Sequence, residues 1–147
     1  MTDIITKLHD RIKDECTEVD VHDAYDEFLD EVYSFESIGG IFATMLPSNV
    51  LEKCDPVAYR CGFSDWLDGE GLVDIGVGCD AYFRISDMEK VRDNMVSELK
   101  DELSQLEDEQ QEIEEDDAEA FDAEYERIQF AIDATQEEID QLQKHVF

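Results

Sequence analysis

A chain of 147 residues is long enough for one ordinary domain, and with 42% hydrophobic and 10% aromatic residues it carries more apolar material than an acidic disordered tail, so it is expected to fold around a core. Its 41 acidic residues outweigh 11 basic ones, a formal net charge of -30 that nucleic acids and anionic membranes repel, which excludes direct binding to either. No stretch approaches the roughly 20 apolar residues of a membrane span, and Met1-Thr2-Asp3 lacks the basic start of a signal peptide, so a cytoplasmic location is expected.

In chain order, Ile4, Ile5, Leu8 and Ile12 recur at helical spacing behind Thr2 or Asp3 as a cap and predict a short amphipathic helix to about Cys16. Asp20 caps a second, with Ala24, Tyr25, Phe28, Leu29 and Val32 as its buried stripe, ending before Gly39-Gly40. The run from Phe35 to Met45 reads as a strand or a loop, and a short strand is the preferred reading. Pro47-Ser48 opens a short helix, and Asp55-Pro56 opens another that runs through Trp66 or Leu67 to Gly69-Glu70-Gly71. Leu72, Val73, Ile75 and Val77 then alternate with Asp74 and Gly76, and with Ala81 to Ile85 they predict a β-hairpin around Gly78-Cys79-Asp80.

From Ser86, read as a cap with Glu89 three residues on, there is neither Gly nor Pro. Val96, Leu99, Leu103, Leu106, Gln110 and Ile113 follow steps of three and four, as do Phe121, Tyr125, Ile128, Ile132, Thr135, Ile139, Leu142 and Val146. The phase slips by one residue between the two series. That allows a helical hairpin turning at Glu115-Asp116-Asp117 or one continuous helix with a stutter, which would bury its seam only by dimerising. The hairpin is preferred because it can fold on itself. The expected fold is therefore mainly α with an α+β element: a helical head with a short β-hairpin over 1–85 and an acidic helical hairpin or coiled-coil arm over 86–147.

Chemistry-bearing patterns are sparse. Cys16, Cys54, Cys61 and Cys79 contain no Cys-x-x-Cys pair, and Asp65, Asp68 and Glu70 do not have EF-hand spacing, so no metal and no cofactor is expected. His9, His22 and His145 lie on charged surfaces or near the end without a nucleophile motif, and Gly76-Val77-Gly78 is not a phosphate loop, so an enzyme is not expected.

The strongest feature is the acidic run of the arm. Asp101, Glu102, Glu107, Asp108, Glu109, Glu112, Glu114, Glu115, Asp116, Asp117, Glu119 and Asp122, followed by Glu124 and Glu126, are interrupted by no Lys or Arg. Ordinary coiled-coil surfaces alternate charge, whereas Glu112 with Asp116 and Glu115 with Glu119 repel. The first twelve are the candidate partner-binding residues. Asp23, Asp26, Glu27, Asp30, Asp65 and Asp68 form a secondary acidic patch. A solvated face that serves only solubility is the alternative use of the same residues.

The segment Leu51 to Asp68, with Asp55-Pro56, Ala58-Tyr59, Gly62-Phe63, Asp65-Trp66 and Asp68, resembles a D-P-x-A-Y-x-x-G-F-x-D-W-x-D pattern of small, functionally unassigned proteins of tailed bacteriophages, and covers under a fifth of the chain. The same segment reads as a capped amphipathic helix with Val57, Tyr59, Phe63, Trp66 and Leu67 available for a core. With a phage origin, the composition is also similar to that of phage proteins that mimic DNA, such as antirestriction proteins and anti-CRISPRs. This second resemblance is one of charge and carries over no binding residue. It implies an inhibitor that occupies the nucleic-acid-binding surface of a host nuclease or CRISPR effector, with a basic protein surface as the partner. The alternatives are a coiled-coil assembly protein, with a homodimer as its simplest form, and a chaperone of a basic nucleic-acid-binding protein.

Overall fold

The structure is a computed structural model that describes residues 3–75, 81–113 and 121–147. It is mainly α, as the periodicity predicts. Helices α1 (Ile4–Glu15), α2 (Val21–Val32), α3 (Pro47–Cys54), α4 (Pro56–Glu70), α5 (Ile85–Ile113) and α6 (Phe121–Lys144) accompany a two-stranded antiparallel sheet, β1 (Leu72–Asp74) with β2 (Tyr82–Arg84). By contacts the chain divides into two compact units, Met1–Cys16 with Asp87–Phe147, and Thr17–Ser86. The first sixteen residues, expected in the head, instead group with the arm, because α1 packs against α6.

In the unit of Thr17–Ser86, α2 starts where Asp20 Oδ1 accepts a bond from the Asp23 amide at 3.3 Å, and α4 starts where Asp55 Oδ1 accepts from the Ala58 amide at 3.0 Å. Gly71 closes α4 in the left-handed region at φ 65°, a conformation that favours glycine, and turns the chain into β1. Leu72, Val73 and Asp74 pair with Arg84, Phe83 and Tyr82, and the Val19 amide adds a rung by donating to the Tyr82 carbonyl at 2.9 Å. Val21, Leu67 and Leu72 form a buried cluster flanked by Val19, Phe63, Trp66 and Tyr82.

Beside that cluster Tyr25 is buried among aromatic rings, edge-on to Tyr59 and Phe63 at 5.2 and 5.3 Å. Gly62 permits this: a Cβ there would lie 2.5 Å from the Tyr25 hydroxyl. The segment Leu51 to Asp68 thus builds the fold, supplying the cap (Asp55), the first helical position (Pro56), the Tyr59 hydroxyl donating to Asp26 at 2.6 Å, the Gly62 clearance, and Phe63, Trp66 and Leu67 for the core. Val57 departs from expectation and is 60% exposed.

Two expectations about secondary structure change. The strand preferred for Phe35 to Met45 is absent; Gly40–Thr44 is a 3-10 turn entered through Gly39 and Gly40, both at positive φ, which breaks an extended run. Ser86 is not a cap, because α5 begins at Ile85, directly after β2. The tip of the predicted β-hairpin, Gly78-Cys79-Asp80, lies outside the described residues.

In the other unit, Ile4, Leu8 and Ile12 are the buried face of α1. Helices α5 and α6 run antiparallel: Gln110 Nε2 donates to Gln129 Oε1 at 2.8 Å, and Arg92 donates to the His145 carbonyl at 3.2 Å. The hairpin holds rather than the continuous helix, although its turn at Glu115-Asp116-Asp117 lies outside the described residues. Ile128, Thr135, Ile139 and Leu142 are buried on α6 as the seam predicts, while Val146 is 85% exposed. No helix among the described residues is long and apolar enough to cross a membrane.

Candidate acidic binding surface

Helix α5 is 29 residues long, about 44 Å at the α-helical rise. Its seam turns inward and leaves Asp101, Glu102, Glu107, Asp108, Glu109 and Glu112 exposed. At 3.6 residues per turn Asp101, Asp108 and Glu112 fall on one line opposite the seam, with Glu102 and Glu109 beside it. Six carboxylates in the thirteen residues Asp101 to Ile113 give one charge per about 3.3 Å of helix, against about 3.4 Å per phosphate along one DNA strand. Asp122, Glu124 and Glu126, also exposed, lie in the first turns of the antiparallel α6.

Among the described residues none of these nine carboxylates is ion-paired. The ion pairs of this unit all lie nearer its other end: Arg11 with Glu15 and Glu98, Lys7 with Glu138, Lys90 with Asp87, and Arg92 with Asp93. There the hydrogen bonds from Arg11, at 2.6 and 2.8 Å, hold the Glu98 carboxyl below its usual range. Glu114, Glu115, Asp116, Asp117 and Glu119 lie outside the described residues.

The secondary patch divides. Asp23, Glu27, Asp65 and Asp68 are exposed. Asp26 and Asp30 are half-buried and engaged within the fold: Asp26 accepts from Tyr59, and Asp30 accepts from the Ser48 amide at 2.9 Å and its hydroxyl at 3.1 Å, fixing the start of α3 to α2. Burial first, then the Asp26 bond, pushes the Tyr59 hydroxyl well above the ordinary tyrosine range, so it stays a donor. Among the described residues no three His, Cys, Asp or Glu side chains converge on a metal position.

One feature escapes a search for charge and motif. Tyr25, Leu29, Tyr33 and Phe35, Pro47, Val50, Leu51 and Cys54 of α3, and Ala58 and Gly62 of α4 line an apolar groove of about 430 Å³. Its sequence signal is an absence: the fifteen residues Ser37 to Leu51 contain no charged side chain, in a chain of which 35% is charged. Compared with protein-family models, with curated proteins and with solved structures, the chain matches none.

Proposed function

We propose that this chain is a non-enzymatic, phage-type inhibitor whose acidic helical hairpin takes the place of a nucleic acid on the basic surface of a host nuclease or CRISPR effector. The observation that carries the proposal is the set Asp101, Glu102, Glu107, Asp108, Glu109 and Glu112, exposed, without an ion pair among the described residues, and carried along α5 at an average charge density close to that of one phosphate strand. Helical backbone hydrogen bonding holds these carboxylates at fixed intervals, as a sugar-phosphate backbone holds its charges. Lysines and arginines that release counterions from phosphate would meet carboxylates instead, with long-range attraction raising the association rate.

The test is capture from a bacterial lysate at low salt, elution on a salt gradient, and challenge of the captured protein with DNA and RNA. The proposal expects a nucleic-acid-binding complex that salt releases and nucleic acid displaces. A captured protein that nucleic acid leaves in place contradicts it.

Phe130, 76% exposed on α6, favours a second reading, self-association through the arm. Sedimentation separates the two: the inhibitor reading expects a monomer at micromolar concentration and the assembly reading a dimer that Phe130→Ser dissociates.

A further inference from the structure

The charge-free run Ser37 to Leu51 also holds several of the most exposed large apolar side chains among the described residues. Ile38 is 63% exposed, Ile41 73%, Phe42 49% and Leu46 51%. Pro47, Val50 and Leu51 at the end of the run line the groove, as does Phe35 two residues before the run begins. An apolar groove whose neighbouring chain segment is apolar and exposed marks a place where another molecule sits. Solubility alone does not account for it in a protein that otherwise covers itself with carboxylates.

The charge of the same unit selects the occupant. Residues 17–86 carry fifteen carboxylates against Lys53, Arg60 and Arg84. A second copy would bring the same excess of negative charge to the groove, and an anionic lipid surface would be repelled for the same reason. Glu31, Glu36, Glu52 and Asp55, all exposed, lie within two residues of lining positions, as do the exposed Lys53 and Arg60, so the residues beside the groove keep a net negative charge.

We infer that the groove formed by α2, α3 and α4 seats apolar side chains of a Lys- or Arg-flanked segment of the partner protein. This deepens the proposed function, because it rests on a basic partner and gives that partner an apolar anchor. Charge on the arm attracts any basic protein; an anchor whose side chains must fit between Leu29, Phe35, Leu51 and Ala58 discriminates among them.

The experiment uses the full chain and three short synthetic peptides of one length: Leu with Lys at amphipathic spacing, Ser with Lys, and Leu with Glu. Backbone amide NMR shifts of Val50, Ala58 and Gly62 report the groove, and those of Asp101 to Glu112 report the arm. The Leu/Lys peptide is expected to shift the groove amides and the Ser/Lys peptide only those of the arm. The variant Tyr33→Ser, at a lining position that is 58% exposed, is expected to weaken Leu/Lys binding by about fivefold or more with unchanged helicity.

Groove amides that stay still while the arm amides respond would overturn this inference and leave the arm proposal standing. Arm amides that ignore both Lys peptides while the groove responds would do the reverse. Equal groove binding of the Leu/Glu peptide would overturn the cationic occupant, and groove shifts that grow with protein concentration alone would replace it with a second copy.

Discussion

The two ends of the helical hairpin share one seam pattern, yet only one end is fully closed. Toward the start of α5 and the end of α6, Leu8, Ile12, Met88 and Leu142 have 0% exposure and Ile139 2%, and every ion pair of the unit among the described residues lies at this end. Toward the turn, Leu99, Leu103, Leu106 and Ile113 are half-buried, and the described carboxylates from Asp101 to Glu112 make no ion pair. The difference is α1, a third helix of twelve residues, about 18 Å, laid against the longer α6. Three helices enclose a core; two enclose only a seam. The closed end supplies stability, which leaves the open end free to carry self-repelling charge.

The sharpest way to break this comparison is to truncate one apolar side chain at each end. Leu142→Ala is expected to cost about 2–5 kcal/mol, a large share of a marginal total, and Leu103→Ala about 1 kcal/mol, both read by urea unfolding. Equal costs would remove the distinction between the ends. In the other unit, Gly62→Ala sets a helix gain of about 1 kcal/mol against displacement of the Tyr25 hydroxyl, costing about 1–3 kcal/mol. A net loss is expected in thermal unfolding, and near-ultraviolet circular dichroism should report the disturbed aromatic cluster.

A smaller effect of opposite sign is expected at the open end. Asp108 and Glu112 are a like-charge i,i+4 pair, and Asp108→Asn with Glu112→Gln should stabilise the helix by a few tenths of a kcal/mol. Amide hydrogen exchange of the distal helices should slow in the variant, and in the parent chain on adding salt; faster exchange would show that these charges do not repel. The smallest effect belongs to pH at the closed end. Burial, then His145 and Lys13, lowers the His9 pKa, while Asp10 raises it. The folded state therefore favours neutral His9, and its contribution is present above the unfolded value near 6.5 and declines as pH falls below it. Urea midpoints at pH 7.5 and 5.5 should differ less for His9→Phe than for the parent; an unchanged difference would remove His9 as the source.

Much of this architecture was legible in the sequence, since period and caps are local signals: Asp20, Asp55-Pro56 and Gly71 mark helix ends, and Leu103, Ile128 and Leu142 mark the seam. The long-range partners were not legible. That α1 joins the arm depends on which apolar face Ile4, Leu8 and Ile12 meet, and an amphipathic stripe does not name its neighbour. Asp26 and Asp30 read as surface charge because Tyr59 and Ser48, distant in sequence, are their partners. The exposed row Asp101 to Glu112 stands where the heptad places it, whereas the groove assembles from three helices, and only the missing charge of Ser37 to Leu51 hinted at it.

The most direct test of the central claim compares the captured partner's affinity for the parent chain with that for a variant carrying Asp101→Asn, Glu102→Gln, Asp108→Asn, Glu109→Gln and Glu112→Gln, across a range of salt. The account predicts binding weaker by about tenfold or more at low salt, with a shallower dependence on salt and unchanged helicity. Parallel, undiminished salt curves for the two proteins would contradict it.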